Sequence, residues 1–269
     1  MEIVKGFANL SNVQMYYEIA GEGEPLLLIH GIDSDSRMWE PQFKSFAKNF
    51  RTIRFDLRGF GKTPMPAGEF QLLDDIHDLL KDLGIESAHI LGYSYGGTVA
   101  PSFAIKYPEM VRSLILESAG MVGHQWSELV SEYFKRFQET YSENNYNEMM
   151  RLLKWKSVYG PYRDETGKKE ICDLLDQMFL HAMTEVEREG KPLPTGDTRN
   201  QLNEITVPTL ILVGELDFED YHQIADFYLK QLPNSEKKII PNVAHFMNLE
   251  EPEVFNREVI NFLQKELVK

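Results

Sequence analysis

Residues 92–96 read Gly-Tyr-Ser-Tyr-Gly, which fits the pattern G-x-S-x-G. An apolar run at residues 88–91 precedes this pentapeptide and a helical segment begins near Gly97, so the serine lies at a strand-to-helix turn. Such a sharp turn requires strained backbone angles at Ser94, and the flanking glycines remove Cβ atoms that would clash. The segment therefore predicts a serine hydroxyl that projects from a sheet at a helix N-terminus, where negative charge is favoured.

Short apolar runs like the one before Ser94 recur along the chain. They lie at residues 26–29, 51–55, 114–116, 209–213 and 238–240. Continuous runs of this kind are expected for strands buried on both faces of a parallel sheet, and helical periodicity separates several of them. Residues 2–10 and 13–20 flank a Ser-Asn turn and predict a hairpin. Together these patterns predict an α/β fold with a mainly parallel, eight-stranded sheet flanked by helices.

The alternation of strands and helices stops between residues 121 and 200. This segment carries helical patterns without a convincing strand, and its glycines and prolines divide it into at least three helical pieces. We therefore expect a core formed by residues 1–120 and 201–269, with residues 121–200 inserted as a helical unit.

A serine hydroxyl is a poor nucleophile at neutral pH, so a base and an orienting acid must lie elsewhere in the chain. His245 follows the last predicted strand, and Asp217 follows the strand before it. Both positions lie just past strand ends, where the functional edge of a parallel sheet is found. Three other carboxylates on the same loop or at a neighbouring strand end remain alternatives for the acid: Glu215, Glu219 and Glu117.

Four separated blocks make the sequence resemble the α/β-hydrolase family over nearly the whole chain. The serine pentapeptide is followed by aspartate and then histidine, which is the order of that family and not the chymotrypsin or subtilisin order. The other blocks are His30-Gly31 and residues 56–61, Asp-Leu-Arg-Gly-Phe-Gly, each after a predicted strand. The resemblance implies the α/β-hydrolase fold and makes residues 121–200 its helical cap.

The resemblance also implies a role for each matching residue. Ser94 becomes the nucleophile, His245 the general base and acid, and Asp217 the residue that orients and stabilises the imidazolium. The backbone N–H groups of Ile32, which follows the His-Gly pair, and of Tyr95 become the oxyanion hole.

Asp33 departs from the small or apolar residue often found near this loop in similar proteins. Because a carboxylate aimed at the oxyanion would oppose catalysis, we expect Asp33 to face away and to cap the helix that begins near Ser36. Among the histidines of the insertion, His124 and His181 are candidates for lining a substrate pocket.

Composition excludes several classes of partner. The net charge of −14 opposes binding to nucleic acid or to an anionic membrane. The single cysteine, Cys172, allows neither an internal disulfide nor a cysteine-based zinc site, and no H-E-x-x-H pattern predicts another metal site. The start of the chain does not read as a signal peptide, and no apolar run approaches a membrane span. We expect a soluble, cytoplasmic protein whose oligomeric state stays open.

These features favour a cofactor-independent serine hydrolase that cleaves a small ester, lactone or related acyl substrate through an acyl-enzyme intermediate. Residues 30–42 are similar to enol-lactonase-like and small carboxylesterase members of the family. Two alternatives remain: a carbon–carbon bond hydrolase of the meta-cleavage type, and a slow-turnover ligand-binding or signalling protein that keeps the fold. Related epoxide hydrolases and haloalkane dehalogenases have aspartate where this chain has Ser94, which disfavours their chemistry.

Overall fold

The apolar runs form the central sheet of the computed structural model, which describes residues 2–161 and 168–267. The strands of the described residues are β1 (Ile3–Leu10), β2 (Val13–Ala20), β3 (Pro25–Ile29), β4 (Arg51–Phe55), β5 (Met65–Phe70), β6 (Ala88–Tyr93), β7 (Val111–Glu117), β8 (Arg188–Pro192), β9 (Thr209–Gly214) and β10 (Ser235–Ile240). Eight of them form one sheet in the order β1-β2-β4-β3-β6-β7-β9-β10.

Helices occupy most of the connections between these strands. They are α1 (Glu40–Phe46), α2 (Leu72–Asp82), α3 (Tyr95–Lys106), α4 (Glu128–Ser142), α5 (Tyr146–Lys154), α6 (Lys169–Thr184), α7 (Glu219–Gln231), α8 (Met247–Glu250) and α9 (Pro252–Leu267). Three short 3-10 turns span Ser36–Trp39, Pro108–Met110 and Arg199–Glu204, and a π-helical turn spans Trp155–Tyr159. Within the described ranges, no helix combines the length and the apolarity that crossing a membrane requires.

The pairing of the strands confirms the predicted α/β fold. β1 and β2 form the expected hairpin, and β2 runs antiparallel to β4. From β4 to β10 every neighbouring pair in the sheet is parallel. Parallel neighbours end at the same edge of a sheet, so the loops after β6, β7, β9 and β10 are brought together there.

The central strands are buried on both faces, and β3 shows why its run is continuously apolar. Leu27 and Ile29 pack into the hydrophobic cluster that includes residues of α2, α3 and α7. Leu26 and Leu28 point the opposite way, into the cluster that includes residues of α9. Successive side chains of a strand face opposite sides, so helices on both faces require an apolar residue at every position.

The segment between β7 and β9 contains α4, α5 and α6, but the expectation that it lacks a strand is wrong. β8 lies within it and pairs in parallel with β5 in a separate two-stranded sheet. The residues of β8 read Arg-Glu-Gly-Lys-Pro and none of them is buried, so no apolar pattern marks this strand. Residues 162–167 of the segment lie outside the described residues.

The turn after β6 brings the backbones of β3 and α3 into close contact. A Cβ atom on Gly96 would collide with the carbonyl oxygen of Ile29, and one on Gly92 would collide with the carbonyl oxygen of Gly96. Ser94, between them, has φ +50° and ψ −106°, a conformation that residues other than glycine rarely adopt. The two glycines therefore permit a close approach that holds the serine in a strained turn.

We predict that Gly96→Ala destabilises the protein although alanine is the better helix former. Helix propensity alone would add about 1 kcal/mol of stability. Overpacking against the Ile29 carbonyl costs about 1–3 kcal/mol or more, so the net free energy of unfolding in urea should fall. Ser102→Ala is the control, since it places an alanine in the same helix without a new contact. A stabilised Gly96→Ala protein would contradict the steric account of the motif.

Candidate active site

The structure brings Ser94, His245 and Asp217 together at the carboxyl edge of the sheet. The Oγ atom of Ser94 lies 3.0 Å from Nε2 of His245, and Nδ1 of His245 lies 2.9 Å from Oδ2 of Asp217. A carboxylate only accepts hydrogen bonds, so the Nδ1 proton is donated to Asp217 and Nε2 is free to accept the Ser94 hydroxyl proton. The three side chains form a continuous hydrogen-bonded chain in the sense that serine activation requires.

Asp217 is held by donors on three sides. Its Oδ2 atom also accepts a hydrogen bond from the Ser118 hydroxyl at 2.8 Å, and its Oδ1 atom accepts one from the backbone N–H of Phe218 at 2.8 Å. The side chain is 1% exposed, and these bonds satisfy a carboxylate that burial would otherwise penalise. Ser118 and His245 thus share the Oδ2 atom, and the Phe218 N–H holds the other oxygen.

The alternative acids are placed differently. Glu215 accepts a hydrogen bond from the Asn242 backbone, and Glu219 opens α7. Glu117 is fully buried beside Asp217, and burial raises the pKa of its carboxyl well above the usual value. This shift favours the neutral form of Glu117, which places no second negative charge next to Asp217.

His245 is enclosed by aromatic rings. The ring of Tyr221 lies 4.3 Å from the imidazole centroid to centroid, and the ring of Tyr93 lies 5.2 Å away. His245 is 0% exposed, and burial lowers its pKa from the usual value of 6.5, with Asp217 acting in the opposite direction. The imidazole is therefore neutral at physiological pH and able to take a proton.

His30 holds the loop that follows β3. Its Nε2 atom accepts a hydrogen bond from the backbone N–H of Leu57 at 2.9 Å, and its Nδ1 atom lies 2.7 Å from the carbonyl oxygen of Gly31. Because Nε2 is an acceptor here, the ring is neutral with its proton on Nδ1, and burial lowers its pKa. His30 thus ties the turn that leads to Ile32 to the neighbouring loop after β4.

The serine opens into a cavity of about 330 Å³ beneath the helices that follow β7. Ile32 and Tyr95, the residues predicted to supply backbone donors, line this cavity together with Ser94. Aromatic side chains form much of its wall: Trp126, Tyr133, Phe134, Phe137, Tyr141, Phe179 and Tyr221. A site of this composition suits an apolar ligand with a few fixed polar contacts.

A second cavity of about 220 Å³ adjoins the first. Ile32, Tyr95 and Arg188 line both cavities, and the rest of the second one is formed by Arg58 and by apolar residues such as Phe60 and Phe70. Arg188 reaches this junction from β8 and donates a hydrogen bond to the carbonyl oxygen of Gly59 at 2.6 Å. The predicted oxyanion loop therefore lies between two chambers.

The expectation that Asp33 faces away from the site is wrong. Asp33 lines the first cavity and is 1% exposed, and its Oδ2 atom accepts a hydrogen bond from the Ser157 hydroxyl at 2.7 Å. The cap of the turn at Ser36–Trp39 is Asp35, whose side chain accepts a hydrogen bond from the Arg37 backbone. Asp33 and Asp35 both precede this turn in the sequence. Only the tertiary contacts, such as that of Asp33 with Ser157, show which of the two caps it.

The histidines of the insertion lie elsewhere. Nε2 of His124 is 3.3 Å from Asp220 on α7, and Nε2 of His181 is 3.0 Å from the carbonyl oxygen of Gly61. Neither is among the described residues that line the first cavity. No group of three histidine, cysteine or acidic side chains in the described ranges is arranged to hold a metal ion.

Sequence reasoning missed Ser118, Lys156 and Arg188. Ser118 directly follows β7, so its position past a strand end beside Asp217 was a usable signal. Lys156 and Arg188 come from the segment between β7 and β9, where no periodic pattern shows which side chains turn toward the sheet. Their approach to the site depends on how that segment packs.

Comparisons with known proteins agree with this architecture. The model of a family described as alpha/beta hydrolase fold matches residues 24–252. The chain is 28% identical, over 261 residues, to a pimeloyl-(acyl-carrier protein) methyl ester esterase of Yersinia enterocolitica, covering 94% of this chain and 98% of that protein. It is 26% identical over 284 residues to epoxide hydrolase 3 of Xenopus tropicalis, covering 96% of this chain and 77% of that protein.

A solved structure shows the same likeness over the full length. A thermophilic esterase from Thermogutta terrifontis, solved with malate bound, superposes with a TM-score of 0.76 at 26% identity, covering 99% of each chain. The similarity therefore extends beyond the central sheet to the segment between β7 and β9.

We predict that His30→Phe destabilises the fold although it keeps a ring in the same space. The change leaves the buried N–H of Leu57 without its acceptor, which costs about 1–3 kcal/mol. The free energy of unfolding in urea at pH 7.5 should fall by that amount. His77→Phe is the control: it replaces a partly exposed histidine stacked on Tyr107 and should cost less than about 0.5 kcal/mol. Equal losses would contradict the role given to His30.

Proposed function

The chain belongs to the α/β-hydrolase fold family, and from that premise we propose that it is a serine hydrolase that cleaves small esters or lactones through an acyl-enzyme intermediate. The observation that carries the proposal is the hydrogen-bonded chain from Ser94 through a buried, neutral His245 to Asp217. It opens into a largely aromatic cavity.

In the first half of the reaction, Nε2 of His245 takes the hydroxyl proton of Ser94 as Oγ attacks the acyl carbon. The imidazolium that forms is stabilised by Asp217, and Nε2 then gives its proton to the departing alkoxide. In the second half, a water molecule attacks the acyl carbon while His245 takes a proton from it. The imidazolium then returns this proton to Oγ as the bond between Oγ and the acyl carbon breaks, which releases the acid, restores the Ser94 hydroxyl and leaves His245 neutral again.

The negative charge on the acyl oxygen requires fixed donors. We assign them to the backbone N–H groups of Tyr95 and Ile32. Tyr95 is the first residue of α3, and the first N–H groups of a helix have no partner within it. Donors of this kind contribute about 10²–10³ in rate each. The hold of His30 on the neighbouring turn supports the second donor.

We infer that residues 121–200 act as a cap on a core of residues 1–120 and 201–269. The backbone N–H of Phe246, next to His245, donates to the carbonyl oxygen of Ser157 at 3.1 Å. Gly160 has φ +70°, and a Cβ there would lie 2.6 Å from the carbonyl oxygen of Leu216. The segment thus rests on the loops that carry the acid and the base, and it closes the cavity from above.

The two cavities indicate the size of the substrate. We propose that the larger, aromatic chamber binds the apolar part of an ester and that the smaller chamber binds the other side of the scissile bond. Both are lined by Ile32 and Tyr95, so the acyl carbon would lie between them. The similarity to a methyl ester esterase and to a thermophilic esterase supports ester cleavage.

Epoxide hydrolysis is the chemistry of another relative, epoxide hydrolase 3. The proposed nucleophile of this chain is Ser94, and His245 lies within hydrogen-bond distance of its hydroxyl. A serine nucleophile needs such a base to remove its proton, whereas an ionised carboxylate nucleophile would need none. The local geometry therefore favours acyl transfer.

We predict that Ser94→Ala abolishes hydrolysis in a folded protein. Initial rates on p-nitrophenyl esters from acetate to decanoate should fall by about 10⁴-fold or more, and a fluorophosphonate probe should no longer add to the protein by intact mass. Ser102→Ala on the same helix is the control and should retain both readouts.

The chain-length profile of the unmodified protein measures the larger chamber. Hydrolysis unaffected by Ser94→Ala would overturn the proposal. Folded protein that neither hydrolyses esters nor reacts with the probe would direct attention to dienoate substrates and to a binding role.

We predict an acid limb in the pH dependence of kcat/KM that lies below pH 6.5. His245 must be neutral to act as the base, so the rate rises as pH increases through its pKa. Burial lowers that pKa from 6.5, so the half-maximal rate falls on the acid side of this value. A stopped assay with a neutral ester between pH 4.5 and 8.5 measures it, and a limb above pH 7 would contradict the assignment of a buried base.

A further inference from the structure

A buried ion pair faces the proposed nucleophile from the cavity wall. The Nζ atom of Lys156 lies 3.9 Å from Oδ2 of Asp33, and the side chains are 8% and 1% exposed. Both residues line the same cavity as Ser94. Burying two charges is costly unless they compensate each other, so their location in an otherwise largely apolar cavity calls for a reason.

The Asp33 carboxylate has few other means of neutralisation. One of its oxygens accepts from the Ser157 hydroxyl at 2.7 Å. Within the described ranges, the other oxygen, Oδ1, has no hydrogen-bond partner. Asp217, in contrast, receives three hydrogen bonds. Lys156 is the cationic partner of Asp33 among the described residues. Burial lowers the pKa of its ammonium group, whereas the charges of Asp33 and Asp217 act to raise it.

The place of Asp33 in the chain makes its charge important for the reaction. It directly follows Ile32, one of the two residues assigned to the oxyanion hole, and lines the cavity where the oxyanion would form. A negative charge in a region of low dielectric opposes the formation of another nearby. Left alone, Asp33 would raise the barrier to the attack by Ser94.

We propose that Lys156 is a positioning residue of this active site, whose ammonium group neutralises the Asp33 carboxylate and so allows negative charge to develop on the substrate. The proposal rests on the assignment of Ser94 as the nucleophile. It explains why an acidic residue is tolerated beside the oxyanion loop, and it gives the inserted segment a direct part in the chemistry.

The backbone conformation around Lys156 places its side chain in the wall of the cavity. Lys156 lies in the π-helical turn Trp155–Tyr159, a rare form of helix that often marks functional sites. The next residue, Ser157, is fully buried; its hydroxyl donates to Asp33 and its carbonyl oxygen accepts from the N–H of Phe246. One turn therefore contacts the oxyanion loop and the histidine loop together.

Lys156 also acts on the base. The charged side chains that bear on the His245 imidazole are Asp217 and Asp33, which raise its pKa, and Lys156, which lowers it together with burial. The neighbouring tyrosines Tyr93 and Tyr221 are uncharged, because burial raises the pKa of both hydroxyls well above 10. Loss of the ammonium should therefore shift the titration of His245 to higher pH, and loss of the Asp33 charge should shift it to lower pH.

The test compares Lys156→Met, Asp33→Asn and the double variant with the unmodified protein. Methionine keeps the length of the lysine stem without its charge, and asparagine can still accept the Ser157 hydrogen bond. Lys156→Arg keeps the charge. Arg188→Met is the matched control, because Arg188 lines the same cavity but donates to the Gly59 carbonyl instead of pairing with Asp33.

Two readouts are measured for each variant. One is kcat on p-nitrophenyl butyrate from pH 5 to 9. The other is the NMR titration of the His245 imidazole, identified among the seven histidines by its loss in His245→Gln. Near-ultraviolet circular dichroism establishes that each variant is folded.

We expect Lys156→Met to lower kcat by about tenfold or more and to raise the pKa of His245 by up to about 1 unit. Asp33→Asn should lose much less kcat than Lys156→Met and should lower the pKa of His245, since one of the carboxylates that raise this pKa is then uncharged. The double variant should recover most of the lost kcat. Lys156→Arg should resemble the unmodified protein, and Arg188→Met should leave the titration of His245 in place.

A double variant as slow as Lys156→Met would overturn the proposal, since lost packing rather than an uncompensated charge would then be responsible. An unmoved His245 titration in Lys156→Met would overturn it as well. If Lys156→Met does not fold, the double variant and Asp33→Asn decide between them: their kcat values should agree within about threefold, because the ammonium has no carboxylate left to compensate, and a much slower double variant would overturn the proposal. Failure of the hydrolase assignment would be seen as absent probe labelling at Ser94. The NMR titration needs no turnover, so this failure can be distinguished from failure of the role proposed for Lys156.

Discussion

The strained backbone at Ser94 is the constraint on which the rest of the site depends. Its N–H donates to the carbonyl oxygen of Glu117 at the end of β7, and its own carbonyl oxygen accepts from Thr98 within α3. The turn can form only because Gly96 lies against the carbonyl of Ile29. Contacts with β7, α3 and the end of β3 fix the position of the Ser94 hydroxyl. The loops after β9 and β10 then bring Asp217 and His245 to that position.

Buried charge around the serine is handled in three different ways. Asp217 is surrounded by donors from His245, Ser118 and Phe218. Glu117 has one backbone donor, and burial raises its pKa well above the usual value, which favours its neutral form. Asp33 is paired with an ammonium group. Only the carboxylate that contacts His245 is therefore surrounded by donors, and the other two lie in settings that reduce or balance negative charge.

The sequence was sufficient for the sheet and for the residues that meet at its edge. Strands such as β3 are marked by apolar runs because burial on both faces is a local requirement, and Ser94, Asp217 and His245 stand just past strand ends. β8 was missed because β5 is its partner strand outside the main sheet and none of its residues is buried, so it carries no apolar pattern. The orientation of Asp33 was predicted wrongly, since it is decided by Ser157, which lies 124 positions away in the chain. Such long-range partners leave no local pattern.

The segment between β7 and β9 contributes more to the cavity than an apolar wall. The aromatic side chains of α4 would be sufficient for such a wall. The turn at Trp155–Tyr159 adds a charge and two hydrogen bonds, one to Asp33 after β3 and one to Phe246 after β10. On the proposed function, the same segment that covers the cavity supplies the ammonium group that compensates Asp33, so its packing on the sheet bears directly on the charge near Ser94.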